Sequence, residues 1–527
     1  MAQKEMRIDK PYLNLPIRPG APFVWVNWER PDGSLLYEFY VELDFEDPDY
    51  YVPCHVERWM GETLRLRIDE LSDERLETLV CEANPRTWTK RPDDGRPRVH
   101  FTPLRGIMGD PNGLYALDGV YHAFYQQNPY GTQCGDWGEY CNFGWSPAVS
   151  TDLCHWQGGP PFMIPDENGP AFSGTAFVDV ENASGLGDGT TPPVLLYYTA
   201  AGGQSRRTKD GAATQRLMVS TDGGAHFHPY AHNPILPNFC RGNRDPKVFR
   251  HQESGRYILV IYSGEEYLYY VCASTDLLHW ERLPDFQWSD WECPDILDVP
   301  VEGADRTQRV FWSARGYWAP VDFDGERFTQ LAPARPFDEG HLIQCGQSFA
   351  NVKGRCVQLH RFSVGLPGAP WYGAYTLPYE LTLAVGADGS YALKAAFAAE
   401  VSGLEAEPET QRDIELQNGA ITVPSASPCR IRIETELEEG GALRLRFGGF
   451  ETVLTRGELA CGEHQVTVGT DGRYRLDIVW DGPVAEIIEE VSGRLLPAVS
   501  GETGGDTLEL SGNGARIVTF SRAALSL

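Results

Sequence analysis

The chain is short of positive charge, of long hydrophobic runs, of helical periodicity and of closely paired cysteines, and each shortage removes a class of function. Its 45 Lys and Arg face 74 Asp and Glu, a net charge of −29 over 527 residues. With no basic run or stripe to offset that acidity, nucleic acid and anionic membranes are not expected as partners. No stretch approaches the roughly 18 uninterrupted apolar residues of a membrane span. The opening Met1-Ala2-Gln3-Lys4-Glu5-Met6-Arg7 has no apolar core or small-residue cleavage site of a secretory signal, which predicts a cytoplasmic protein. Among twelve cysteines the closest pair is Cys134 and Cys141, and no C-x-x-C occurs, so these read as buried small hydrophobes rather than zinc or redox centres. The twelve histidines show no H-E-x-x-H or other ligand spacing, and the Gly-rich stretches 184–189 and 501–514 lack the strand and helix that phosphate binding needs. No metal and no cofactor is expected.

What is present points to β-structure. Aromatics make up 12% of the chain, with 55 Gly and 38 Pro, and short apolar runs are bounded by Gly, Asp, Asn and Pro. Phe23–Trp28, Val120–Tyr125, Val194–Tyr198 and Tyr257–Tyr262 are predicted strands; only 72–82 reads as a helix. A repeat is visible in Ser150-Thr151-Asp152, Ser220-Thr221-Asp222 and Ser274-Thr275-Asp276, each at a strand end and each followed by an aromatic: Trp156, Phe227, Trp280. The spacings suit four-stranded units, and repetition of such units predicts a β-propeller. A boundary falls in the Pro- and Arg-rich 82–99. Beyond about residue 395 Trp and Tyr thin out, and period-two alternation, as in Cys429–Glu434 and Ala442–Phe447, predicts a β-sandwich. The expected organisation is a small β domain at 1–95, a propeller at 96–385 and a sandwich at 395–527.

Three acidic residues stand out. Asp110 lies in Gly109-Asp110-Pro111-Asn112-Gly113, Asp245 in Asn243-Arg244-Asp245-Pro246, and Glu292 in Trp291-Glu292-Cys293-Pro294. Singly, each motif is an ordinary turn. Together they fall in different repeat units beside strong apolar strands, and propeller strands converge on one axis. Glycoside hydrolysis needs such a meeting, one carboxylate to attack the anomeric carbon and one carboxylic acid to protonate the leaving oxygen. Crowding of like charges separates the two roles by raising one pKa.

The blocks Arg98–Pro103, Asp110–Gly113, Tyr121–Gln126 with Asn128–Gly131, Phe172–Ala176, Arg244–Pro246, Glu292–Pro294 and Leu377–Leu383 resemble, in order, glycoside hydrolase family 32, the family of invertases, inulinases and levanases. The 12–16 region also resembles a small β domain that precedes the propeller in levanase-like members. The resemblance implies a five-bladed propeller with a C-terminal sandwich and retaining cleavage of β-fructofuranosides. It implies Asp110 as nucleophile, Glu292 as acid/base, and Asp245 holding sugar hydroxyls with Arg244 beside it. Asn112, Gln126, Phe172, Ser173 and Cys293 would surround the terminal fructose.

The departures are as specific as the matches. The family's Trp-Met-Asn-Asp-Pro-Asn-Gly reads Ile107-Met108-Gly109-Asp110 here, which removes an Asn and an aromatic wall. A pocket Trp is replaced around Cys134, with Trp137 to fill its role, and the block of a later Tyr and Trp reads Gln344–Phe349 and His360-Arg361-Phe362. Arg361, with Arg315 or His360, is read as a contact for an anionic or unusually linked substrate such as a sugar phosphate or cyclic fructose dimer. A fructoside-binding protein without catalysis, and a fructosyl transferase, are the alternatives. Oligomeric state stays open.

Overall fold

The computed structural model describes residues 2–90, 95–131, 142–264, 266–416, 420–502 and 505–527. Nearly all regular structure is β, and no described helix is long and apolar enough to cross a membrane. The expected helix at 72–82 shrinks to Asp73–Thr78, capped by Ser72 accepting from the Arg75 amide. Cys81 and Glu82 instead pair with the Tyr12–Ile17 strand.

Five antiparallel sheets follow one another along the chain, beginning with Gly106–Leu117, Ala171–Val178, Arg244–His251, Asp295–Pro300 and Ile343–Ser348. Each first strand touches that of the next sheet, and the fifth touches the first, so the five close into a ring around an axis. Trp371–Tyr372, from the connection inside the fifth sheet, adds to the first sheet in parallel beside Gly106–Ile107. The architecture is a propeller, as the repeat predicts. The Ser-Thr-Asp turns close the third strands of the first three sheets: Asp152, Asp222 and Asp276 each accept from the amide and ring of a nearby histidine. Trp156, Phe227 and Trp280 then pack between sheets, against Phe349, Phe124 and Tyr197. The fifth sheet runs past the expected limit of 385 to a strand at Tyr391–Phe397, because Leu381 and Leu383 need Ala395 and Leu393 opposite them to complete their buried face.

Before the ring, Ala2–Arg7, Thr63–Ile68, Phe23–Glu29 and Leu35–Glu42 form one sheet, and Tyr50–His55, Tyr12–Ile17 and Cys81–Glu82 another, around a shared core that includes Trp28, Phe39 and Val52. Tyr130, from the propeller, enters that core and stacks on Phe39 with ring centroids 3.7 Å apart. After the ring, two long strands, Cys429–Phe447 and Thr507–Ala524, pair along most of their lengths and carry register shifts between Leu437 and Ala442. Residues on either side of that break belong to different layers, one continuing through Arg473–Asp481, the other through Phe450–Thr455. The two layers close a sandwich over Ile431, Leu445, Ile478 and Leu454.

A fully buried charged cluster ties the sandwich to the propeller. Asp481 accepts from the backbone amides of Arg98, Val99 and His100 at 2.8, 2.8 and 3.0 Å, and its Oδ2 lies 2.8 Å from His100 Nδ1. Glu486 stands 3.5 Å from the other ring nitrogen. Burial opposes the imidazolium, but the hydrogen bonds and charges of Asp481 and Glu486 outweigh it and raise His100 to about 9. A raised folded-state pKa stabilises fully below the ordinary value of 6.5, and that contribution is lost as pH rises through about 9. Thermal unfolding followed from pH 6 to 10 should therefore show a Tm that falls across this window, and His100→Gln should flatten the fall. Parallel Tm curves for the two proteins would remove His100 as its cause.

Candidate active site

The first strands of four sheets depart from regular β geometry near their starts, and in the remaining sheet the departure falls just before Asp295–Pro300, at Glu292 and Cys293. Register shifts fall between Met108 and Pro111, Phe172 and Gly174, Arg244 and Lys247, and Gln344 and Gln347. Asp245, Glu292, Cys293 and Cys345 have φ of 63°, 54°, 40° and 53°, a region that costs a non-glycine residue on the order of 1–3 kcal/mol. Neighbouring strands hold these residues there. The Asp245 amide donates to Thr199 Oγ1 at 2.9 Å, the Cys293 amide to Asp245 Oδ2 at 3.2 Å, and Tyr269 Oη to the Glu292 carbonyl at 3.0 Å. At the second sheet the close approach is backbone on backbone: a Cβ on Gly174 would lie 1.9 Å from the Tyr197 carbonyl oxygen.

These departures turn side chains from separate sheets into one cavity of about 660 Å³. Asp110, Asp245 and Glu292 all line it, together with Gln126, Phe172, Ser173, Arg244 and Arg361. Ser173 Oγ donates to Asp110 Oδ2 at 2.9 Å and itself accepts from Gln126 Nε2 at 3.2 Å. Arg361 Nη1 lies 3.4 Å from the other oxygen of Asp110. Arg244 binds Glu292 Oε1 at 2.5 Å, keeps its Nε 3.8 Å from Asp245, and lies over the Tyr262 ring. Burial raises the Asp245 carboxyl well above its ordinary value; Arg244 opposes this, while Glu292 and Asp110 reinforce it. The site thus holds three carboxyl groups, one of them raised by burial, braced by two guanidinium groups.

Several expected contacts change meaning. Asn112 is fully buried beneath the cavity, where its Nδ2 donates to the Asp110 carbonyl and its Oδ1 accepts from the Gly174 amide, so it joins two strands rather than touching a ligand. Cys293 lies behind the carboxylates, its Sγ 3.6 Å from Asp110 Oδ2 and 3.7 Å from Asp245 Oδ2. A hydrogen bond with Cys345 and burial push its thiol far above the ordinary range, so a neutral S–H sits between the two acids. Arg315 lines the cavity but pairs with buried Asp290 at 2.7 Å and stacks on Trp291. His360 packs among Trp312, Phe337 and Tyr379, where burial lowers it to about 3 and keeps it from acting as an anion contact. Trp137 lies outside the described residues.

Sequence reading passed over Trp291, Phe143, Gln344, Gln204 and Arg241 as lining residues. Trp291 adjoins Glu292, and Gln344 lies opposite Arg361 in the fifth sheet's register, so each had a signal once the sheets were known. Gln204 and Arg241 had none, because they come from connections. Among the described residues, two sets of potential metal donors also form across sheets where linear spacing hides them: Asp110 with Cys293 and Cys345, and Asp245 with Glu292 and Cys293, each set within 4.8 Å. Arg361 and Arg244 place positive charge beside both sets, which opposes a cation there.

Residues 100–393 match the family model for the glycosyl hydrolases family 32 N-terminal domain, more than half of the chain. The chain belongs to glycosyl hydrolase family 32. It is 30% identical over 341 residues to a levanase of Bacillus subtilis, covering 59% of this chain and 48% of that one. It is 37% identical over 240 residues to an invertase of Schizosaccharomyces pombe, covering 43% and 39%. The chain thus spans about half or less of the length of these two relatives. In structure it resembles a Schwanniomyces occidentalis fructofuranosidase solved with fructosylnystose, at TM-score 0.72 and 20% identity over 82% of this chain and 98% of that one. The likeness extends beyond the propeller and supports the propeller-plus-sandwich fold of this family 32 chain.

The ten cysteines described are all free, nine of them buried. Because alkylation requires the thiolate, Cys293 should resist modification in the native protein. Iodoacetamide labelling with peptide mass spectrometry should leave it unmodified until denaturant is added, with half-buried Cys240 labelled earlier. Native labelling of Cys293 at the rate of Cys240 would contradict the neutral, enclosed thiol described above.

Proposed function

We propose that this family 32 chain cleaves β-fructofuranosidic bonds of small fructosides or fructo-oligosaccharides with retention of configuration, and that its five sheets are the five blades of one propeller. The convergence of Asp110, Asp245 and Glu292 in one cavity, from three different sheets, carries the reading. Asp110, oriented by Ser173 and Arg361, attacks the anomeric carbon as the glycosidic bond breaks. Glu292 delivers a proton to the leaving oxygen. In the second half Glu292 takes a proton from water, whose oxygen displaces Asp110 and releases fructose. Asp245, held by the Thr199 hydroxyl and the Cys293 amide, hydrogen-bonds sugar hydroxyls.

The departures fit retained chemistry in a reshaped pocket. A Cβ at Gly109 would lie 2.9 Å from Gln126 Oε1 and 3.0 Å from its Cβ, so Gln126 occupies the space that a larger residue would claim. Phe143, Phe172 and Trp291 supply apolar walls. The anionic-substrate alternative loses its support, since Arg361 and Arg315 already face Asp110 and Asp290. Nothing in the cavity favours a purely binding role, because none of the three carboxyl groups has moved away from it.

Release of free fructose from sucrose, levanbiose, inulobiose, inulin, levan and difructose dianhydrides tests the proposal. At least one should be hydrolysed, with the first-formed anomer retained by NMR. Asp110→Asn should abolish turnover, and Glu292→Gln should slow it by about 10²- to 10⁴-fold. Calorimetric binding of a fructoside without turnover by the wild type would make the chain a receptor instead.

A further inference from the structure

Resting on the fructoside-cleaving reading, we propose that the N-terminal β region fixes one wall of the catalytic cavity through Arg206, and that this wall receives the sugars of an oligosaccharide that lie beyond the first one past the cleaved bond. The wall belongs to the connection between Val194–Ala200 and Thr214–Ser220 in the second sheet. Ala201, Gly202, Gly203, Gln204 and Ala213, at the two ends of this connection, line the cavity. Its middle points elsewhere: Arg206 reaches into the N-terminal sheets.

The anchorage is built on both sides. Arg206 Nε and Nη2 donate to Glu38 Oε2 at 3.2 and 3.0 Å, Nη2 also donates to Asn27 Oδ1 at 3.0 Å, and the guanidinium lies 4.0 Å over Trp25. Asn27 and Glu38 are buried and directly opposed in the register of Phe23–Glu29 and Leu35–Glu42, so the sheet sets these acceptors before the arginine arrives. Planar Arg suits such a forked, stacked site better than Lys. On the other side the loop is stiff. The Gly203 amide donates to the Thr208 carbonyl at 2.7 Å, Ser205 and Thr208 hydroxyls lie 2.8 Å apart, and the two arms pack so closely that a Cβ on Gly202 would lie 2.3 Å from the Ala212 carbonyl oxygen. A shift at Arg206 is therefore passed to Gly203 and Gln204.

The same loop places Arg241, whose Nη2 donates to the Lys209 carbonyl at 3.1 Å. The wall so formed offers the Gln204 amide and the Arg241 guanidinium, donors suited to the hydroxyls of a neutral oligosaccharide. It meets the hydrogen-bond network of Asp110, Asp245 and Glu292 at its edges, where the strand leading into it carries Thr199, which holds Asp245, and the Gly242 carbonyl next to Arg241 accepts from Arg244 Nη1 at 3.0 Å. Arg206 is accordingly a positioning residue.

The test compares sucrose with an inulin-type tetrasaccharide on the full chain. Arg206→Ala should raise KM for the tetrasaccharide by about 5- to 10-fold with kcat within about twofold, while KM for sucrose changes little. Arg206→Lys, which keeps the charge but loses the fork, should give an intermediate ratio of the two KM values. Unchanged KM values, or equal losses of kcat on both sugars with a lowered Tm, would overturn the proposal and leave Arg206 a purely structural contact. If Arg206→Ala fails to fold, the Lys variant decides by the same ratio. If the wild type turns over neither sugar, a disaccharide and a longer oligosaccharide of the linkage it does cleave replace them; absence of turnover across the whole panel would instead fail the hydrolase reading, and calorimetric affinities for sucrose and the tetrasaccharide would then test the wall by the same ratio.

Discussion

Everything in the active site depends on the interruption of β geometry near the start of the innermost strands. A regular strand turns alternate side chains to its two faces, and in a closed ring those faces lie against the neighbouring sheets. Only where the backbone leaves that pattern can residues gather on the axis. Here the departure recurs around the ring, as register shifts in four sheets and as left-handed residues at Asp245, Glu292, Cys293 and Cys345. Such conformations persist because adjacent sheets supply the bonds that hold them, Thr199 for Asp245, Tyr269 for Glu292 and Ala314 for Cys345. Strain and function thus share the same residues.

Electrostatics follows from that geometry. Three acids crowded in a cavity repel one another, and the chain answers with Arg361 on Asp110, Arg244 on Glu292 and a neutral thiol between Asp110 and Asp245. The result is asymmetric. Burial raises Asp245, the most enclosed of the three, whereas Glu292 is the most open to the cavity, with 36% of its side chain exposed.

How much of this could be read from the residues varies with the range of the interaction. The all-β class, the repeat and its Ser-Thr-Asp turns were legible because they are local: an Asp two residues after a Ser closes its own turn. The three carboxylates were legible through their motifs. Asn112 misled because its motif is shared by turn-forming and ligand-binding residues alike, and only the position of the Gly174 amide shows that its side chain is already used. Cys345 and the donor sets it completes could not be found by spacing, since their members meet only after five sheets close. The limit of the propeller was misjudged at 385 because alternation in Tyr391–Phe397 looks like the alternation of the sandwich beyond it.

The flanking regions are joined to the propeller by buried charge as well as by apolar packing, and this has a consequence for how the molecule works. At Asp481 and His100 the sandwich grips the backbone that leads into the first sheet, and at Glu38 and Arg206 the N-terminal sheets grip a loop of the second. Apolar contacts alone tolerate sliding, because their energy is nearly indifferent to small shifts. Hydrogen-bonded charge is not indifferent, since a shift of one ångström strands the buried carboxylate of Asp481 or Glu38 away from its donors. The first and second sheets are the ones that carry Asp110 and Ser173, which are joined by a single hydrogen bond. Fixing both sheets from outside the ring therefore adds to Asn112 and Gln126, which already join those sheets within it, in holding Asp110 and its partner hydroxyl in one geometry.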